Sequence, residues 1–305
     1  DRAFGLANRV RQEKLTPQHR FRIASISKTL TAACIFRFID LGKLSLHQPI
    51  FGEEGVLKFD YARTYSAATK ALTVYHLLTH TGGGWTNDGN DPMFQIPQAS
   101  HRELIKYTLQ ESPQTAIPGT KYAYSNFGYC LLGRVLEKVG GRPYDEVIKQ
   151  EILTPCGIQQ MQLAENTLGR RASLEVVYEA QGGDSPYTLN INRMDAHGGW
   201  IATVSDLVRF ALRVDGFDSP PDLLRPTTLK AMTTPSDLNP RYACGWNVNA
   251  SQNWWHGGNL PGTTTFLMRS SDGLCCAMLT NTYTKETIAG LETTMWAMIR
   301  SLLSR

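Results

Sequence analysis

Phe21-Arg22-Ile23-Ala24-Ser25-Ile26-Ser27-Lys28-Thr29 decides how the rest of this sequence is read. Phe21–Ala24 has the apolar alternation of a strand. Ser25 then opens a helix that runs towards Leu41, with Gly42 to close it. Inside it lies S-x-x-K. Residues i and i+3 of a helix share a face, so the Lys28 amine falls within reach of the Ser25 hydroxyl. A serine hydroxyl is a poor nucleophile until a neighbour takes its proton, and a helix N-terminus favours the anion that results. Apolar surroundings would bring the lysine pKa down into the range of a useful base. By itself the tetrapeptide is matched as well by a Ser N-cap followed by a solvated Lys, so the reading needs further elements.

The next is Tyr124-Ser125-Asn126, the one Y-x-N in the chain, just ahead of a helix. Lysine beside Tyr124 is expected to lower the phenol pKa and let it pass protons to a leaving group. Asn126 is expected to bond Lys28 or a substrate amide. A third element, H-x-G, occurs three times: His80-Thr81-Gly82, His197-Gly198-Gly199 and His256-Gly257-Gly258. The last leads into a terminal hairpin, where a strand offers backbone N–H groups and glycines let substrate approach. His256 is therefore the choice. Gly257 and Gly258 line the approach, and the Asn259 amide joins that of Ser25 in an oxyanion hole.

Outward from these motifs the chain divides into three zones. The first, residues 1–70, holds strand candidates at Ala3–Ala7 and Phe21–Ala24 and the Ser25 helix. The second, residues 71–212, is helical: Ser100 with Glu103 and Thr203 with Asp206 are capping boxes. Leu131, Leu132, Val135, Leu136 and Val139 recur at helical spacing before Gly140-Gly141 and Pro143. Loops with Gly82-Gly83-Gly84 and Gly182-Gly183 separate those helices. The third, residues 213–305, returns to strands at Gly245–Asn249, Thr263–Met268 and Leu274–Leu279, turning at Ser271-Asp272-Gly273. An amphipathic helix with Ile288, Leu291, Met295, Ile299 and Leu302 on one face ends the chain. Strands at both ends predict an α/β lobe from residues 1–70 and 213–305, with a helical lobe, 71–212, inserted and the site in the cleft between them.

Composition bounds the partners. With 31 basic against 27 acidic residues, spread without a Lys/Arg block, the net charge of +4 gives no nucleic-acid footprint. No apolar run approaches the ~20 residues of a membrane helix. The six cysteines, Cys34, Cys130, Cys156, Cys244, Cys275 and Cys276, lack metal or disulfide spacing and read as buried thiols. His76 and His80 stand i, i+4 but without the Glu of H-E-x-x-H or a third ligand, so no metal and no cofactor is expected. The chain opens on Asp1 with no charged and apolar leader. A removed signal would place the protein in the periplasm or outside the cell; otherwise it belongs in the cytoplasm. Trp85, Trp200, Trp254 and Trp255 are candidates to line a side-chain pocket. The oligomeric state is open.

Together, the Ser25 segment, His76-Leu77-Leu78-Thr79-His80-Thr81-Gly82, Tyr124-Ser125-Asn126-Phe127-Gly128-Tyr129 and His256-Gly257-Gly258 resemble the class C β-lactamase-like family of serine hydrolases. That family includes class C β-lactamases, D-alanyl-D-alanine carboxypeptidases, D-aminopeptidases and family VIII esterases. The resemblance implies an α/β lobe of antiparallel sheet flanked by helices, an all-helical lobe, and Ser25 as nucleophile with Lys28 and Tyr124 as the proton-transfer pair. It also implies that His256 replaces the lysine of the β-lactamase K-T-G. Members carry a helix and a strand before the serine segment, whereas 24 residues precede Ser25 here, so the chain is a fragment or that sheet edge is built differently. Histidine, with a reference pKa near ~6.5, lacks the permanent charge that a substrate carboxylate needs. Esters or amides are therefore expected ahead of β-lactams, with carboxylate-bearing substrates helped by acid. β-lactamase, D-alanyl-D-alanine carboxypeptidase and a non-turnover penicillin sensor are the alternatives.

Overall fold

The computed structural model describes residues 1–181 and 183–303, without the side chains of residues 302 and 303; Gly182 and the side chain of Leu302 therefore lie outside the described residues. At the start of the chain, β1 (Leu6–Asn8) and β2 (Glu13–Lys14) make a short antiparallel hairpin. β3 (Phe21–Arg22) follows. A single 3-10 turn, Ala24–Ile26, separates it from α1 (Ser27–Asp40), so the strand is two residues shorter and the α-helix starts two residues later than expected. The reason lies at Ala24, whose φ of 48° takes the backbone out of the strand and turns it sharply before Ser25. Gly42, in the left-handed region, ends the helix as expected.

The middle of the chain holds α2 (Ala67–Lys70), α3 (Val74–Leu78), α4 (Pro92–Gln95), α5 (His101–Glu111), α6 (Asn126–Gly140) and α7 (Tyr144–Ile148). Both capping boxes form. Glu103 accepts the Ser100 N–H at 2.8 Å and Asp206 accepts that of Thr203 at 3.1 Å, satisfying donors that a helix start leaves open. β4 (Gln162–Leu163), α8 (Asp195–Gly198), β5 (Trp200–Ala202), α9 (Val204–Ala211) and α10 (Pro226–Thr233) come next. The last stretch is β6 (Asn247–Val248), β7 (Trp254–Leu260), β8 (Thr263–Arg269), β9 (Cys275–Thr280) and α11 (Lys285–Leu303).

Three antiparallel sheets result: β1-β2, β3-β5-β4 and β6-β7-β8-β9. β3 does not join the terminal sheet through a ladder. It is tied to it by side chains, because Thr263 and Thr265 of β8 donate to the carbonyls of Arg22 and Ile23 at 3.2 and 3.1 Å. β4 and β5 lie within residues 71–212, so that stretch contributes strands as well as helices. The division into lobes at residues 70 and 212 stays a proposal.

α1 is the centre of the core. Leu30, Ala32, Ala33, Cys34, Ile35, Phe36 and Phe38 are all buried, the pattern of a helix covered on every side. α6 is buried over most of its length by the same logic and packs against α1 and α3. Burying each large apolar side chain stabilises by roughly 1.5–3 kcal/mol. The consequence for function is that a lysine in the first turn of α1 has nowhere wet to go. All six cysteines are free, four of them buried and Cys275 and Cys276 half-buried on β9. Among the described residues no helix is long and apolar enough to cross a membrane.

Candidate active site

The turn at Ala24 carries strain. An alanine in the left-handed region costs about 1 kcal/mol, and the packing around it holds the chain there. A Cβ on Gly258 would come within 2.3 Å of the Ile23 carbonyl oxygen and 3.1 Å of the Ala24 Cβ, so β7 lies directly against the turn. Ser25 is left half-buried, facing a cavity of about 390 Å³.

Lys28 is fully buried, and its three ammonium hydrogens have three acceptors: Ser25 Oγ at 3.0 Å, Asn126 Oδ1 at 2.8 Å and the His197 carbonyl at 2.9 Å. Burial drives its pKa down to about 7, with the charge of Asp91 acting in the opposite direction. Once the amine is neutral, two N–H bonds remain on Asn126 and His197, which accept but do not donate at those atoms. The lone pair is then aimed at Ser25 Oγ, the geometry of a general base on a nucleophile.

Tyr124 places its ring 4.9 Å from Lys28 Nζ and hydrogen-bonds Ser25. Its pKa runs against the expectation. Burial pushes it well above the usual phenol value, a larger effect than the hydrogen bond to Ser25 that lowers it. Tyr124 is therefore a neutral phenol, fit to donate a proton rather than to stand as an anion.

Asn126 is the first residue of α6, where Ser125 caps the helix through a bond from Gly128 N–H at 3.0 Å. Its Nδ2 donates to Asp91 Oδ2 at 2.7 Å. Nothing around Asp91 in the sequence marked it out, apart from a Pro92 that permits an N-cap. The structure shows it buried, with its other oxygen accepting Met93 N–H at 2.9 Å.

All three H-x-G motifs converge here, not just the one chosen. His80, at φ 57°, lies with its ring centroid 4.1 Å from that of Tyr124 and accepts the Ser125 N–H at Nδ1. His197 contributes its carbonyl to Lys28. His256 on β7 faces the cavity. Its Nδ1 donates to the Gly257 carbonyl at 2.6 Å, and its Nε2 sits 3.2 Å from the Tyr242 hydroxyl. Burial first, then the nearby Lys28 charge, pushes its pKa down to about 3, so acid in the physiological range does not charge it, contrary to expectation. The same two causes hold His80 and His197 well below their usual value. His76 belongs to a local turn: its ring accepts the Thr73 N–H at 3.3 Å and completes the cap of α3. Among the described residues no group of three or more His, Cys, Asp or Glu side chains is gathered for a metal.

The cavity is walled by Trp255, Phe266, Ile288 and Leu291, with Asn87, Asn247 and Asn259 supplying polar edges. Of the four tryptophans considered, Trp255 lines it, while Trp85, Trp200 and Trp254 are buried elsewhere. α11 divides its apolar face: Met295 and Ile299 are buried against Phe266 and Met268, whereas Ile288 and Leu291 face the cavity. Asn259 shares the cavity with Ser25. A larger cavity of about 730 Å³, lined by Trp254 and Arg269, contains neither Ser25 nor any residue that touches Lys28.

With this arrangement in view, comparison with known proteins is direct, because the Beta-lactamase family model matches residues 1–294. The chain belongs to the beta-lactamase family. It is 24% identical over 304 residues to penicillin-binding protein 4 of Amycolatopsis lactamdurans, covering 92% of this chain and 76% of that protein. It is 27% identical over 168 residues to esterase EstB of Burkholderia gladioli, covering 52% of this chain and 42% of the esterase. The solved D-amino acid amidase of Ochrobactrum anthropi SV3 superposes with a TM-score of 0.77 at 20% identity, over 98% of this chain and 90% of that one, which establishes the shared fold. This beta-lactamase family member is thus a hydrolase of mixed α/β fold with antiparallel sheets and helices.

Proposed function

We propose that the chain is a serine esterase or amidase that forms an acyl-enzyme on Ser25, taking substrates that carry no carboxylate beside the scissile bond. The observation that carries this reading is the charge of the cavity. Among the described residues lining it, Glu292 alone is charged, His256 is neutral, and the lysine at hand is enclosed behind Ser25. A β-lactam or a C-terminal D-alanine brings a carboxylate into this space and finds no cation.

The chemistry follows from the contacts. Neutral Lys28 takes the proton from Ser25 Oγ as that oxygen attacks the carbonyl carbon. The amides of Ser25 and Asn259 receive the developing oxyanion. As the tetrahedral intermediate collapses, Tyr124 gives its proton to the leaving alkoxide or amine and recovers one from Lys28. Water, deprotonated along the same route, attacks the acyl-enzyme, and Ser25 leaves with its proton restored. The relatives named esterase and penicillin-binding protein support a shared acyl-transfer chemistry.

The test compares kcat/KM for p-nitrophenyl butyrate, D-phenylalanine amide and nitrocefin at pH 7.5. Nitrocefin turned over faster than both would defeat the reading. A stoichiometric burst with no steady state on every substrate would point to a penicillin sensor that acylates once.

A further inference from the structure

One carboxylate buried beside Lys28, Asp91, takes no part in the proton transfers proposed above. Asp91 is 2% exposed, sits at the start of α4 and spends its two oxygens on two different donors, Met93 N–H and Asn126 Nδ2. An asparagine amide has chemically opposite ends, an acceptor oxygen and a donor NH2, and either can be turned towards a neighbour. An ionised carboxylate accepts and never donates, so it fixes which end faces it.

We propose that Asp91 is a positioning residue of the reaction, locking the Asn126 amide so that its oxygen faces Lys28 and supplying a buried negative charge beside that lysine. Turned the other way, Asn126 would present an N–H to the amine. The lone pair of neutral Lys28 would then accept from Asn126 instead of from Ser25 Oγ, and the base would be spent on the wrong partner. This assignment rests on the reading of Ser25 and Lys28 as nucleophile and base.

The surroundings allow no substitute for that charge. Lys28 is faced by Asp91, by the neutral rings of His80, His197 and His256, and by Tyr124 and Tyr129 at 4.9 and 5.7 Å from ring centroid to Nζ. Asp91 in turn meets Lys28, Asn126 and the exposed Asp88. Burial raises the Asp91 pKa, and the bonds from Met93 and Asn126 together with the Lys28 charge act to lower it. Asp91 holds the Lys28 pKa up against desolvation, so its loss moves the base towards lower pH.

The decisive measurement is the second-order rate at which a fluorophosphonate labels Ser25, followed from pH 5 to 10 in the full chain. It needs no knowledge of the natural substrate. Asp91→Asn keeps the shape but has one acceptor for two donors, which favours the turned Asn126. We expect its labelling midpoint to fall by about one pH unit, and its high-pH plateau to drop roughly tenfold, on the scale of a misaligned base. Asp91→Ala, measured beside it in case the first variant loses its near-UV circular dichroism, has the same expected shift of midpoint. With Asn126→Ala already in place, Asp91→Asn should lower the plateau no further. A midpoint that stays put or rises, or a plateau loss that is the same with and without Asn126, overturns the proposal. Absence of any Ser25 labelling in the unmodified protein would instead remove the nucleophile assignment.

Discussion

At the scale of single residues, the site is a set of acceptors and donors arranged around one buried amine. Ser25→Ala should abolish acylation while leaving the fold intact, since the half-buried hydroxyl bonds only the site residues Lys28 and Tyr124. Peptide mass mapping after fluorophosphonate treatment checks it, and a label on another serine would contradict it. Tyr124→Phe should cost kcat about 10²–10⁴-fold, the usual range for a lost proton donor. Labelling should persist, because acylation by a good leaving group needs no donated proton. The proposed substrate preference can be tested at Glu292, which reaches the cavity from the exposed side of α11. Glu292→Lys places a cation there without burying it. We expect the ratio of nitrocefin to p-nitrophenyl butyrate kcat/KM to rise about tenfold, worth ~1.4 kcal/mol. An unchanged ratio would show that charge at this rim does not select substrate.

At the scale of elements, β7 and the Ala24–Ile26 turn make one unit, and its two glycines have different reasons to exist. Gly258 has no room for a methyl group, with the Ile23 carbonyl 2.3 Å and Thr265 Oγ1 2.5 Å from where a Cβ would stand, whereas at Gly257 the nearest atom is 3.8 Å away. Gly258→Ala should therefore destabilise by about 1–3 kcal/mol or more, the cost of overpacking a rigid site, and displace Ser25. Gly257→Ala should leave the urea midpoint where it is. Equal midpoints for the two would refute this account of the turn. The comparison also shows what could be read from the sequence. S-x-x-K, Y-x-N and the capping boxes are local: their spacing alone puts Lys28 near Ser25 and Glu103 on Ser100. The Lys28–Asn126 bond needs α1 and α6 packed side by side, and the order of motifs allowed that much to be expected. The left-handed Ala24 could not be expected, because it is imposed by β7 from more than two hundred residues away. Asp91 was illegible for a similar reason: its partner is 35 positions along the chain, and an Asp-Pro in a loop reads as an ordinary cap. Three H-x-G motifs looked like competitors because a linear reading has no means of showing that a turn, a helix and a strand close around one lysine.

At the scale of the whole molecule, burying so many basic groups at one place ties activity and stability to pH in two separate windows. The first concerns Lys28 alone. Its pKa of about 7 means that kcat/KM should climb as pH rises through that value, the neutral amine being the active form. The second concerns the fold. His80, His197 and His256 are held below their ordinary values, so the native state refuses protons that the unfolded chain accepts below about pH 6.5. Their contribution is complete above pH 6.5 and is lost as pH falls towards the folded pKa values, that of His256 being about 3. Each such proton is worth about 1.4 kcal/mol per pH unit, so three together would tilt the curve by about 4 kcal/mol per unit at their steepest. Asp222, raised to about 6 by burial and by Asp215, acts the other way, since its native form binds a proton that the unfolded chain has released. Lys28 adds a gentler rise above pH 7, where the unfolded chain still holds the proton that the native state has lost. We therefore expect two steps on acidification. Between pH 8 and 6 the rate falls while near-UV circular dichroism is unchanged; below pH 6 the urea midpoint falls steeply. Samples returned from pH 6 to pH 8 should recover full activity at once. A urea midpoint that stays flat from pH 7 down to pH 5 would break the link to the three histidines, and a rate that holds to pH 5 would break the link to Lys28.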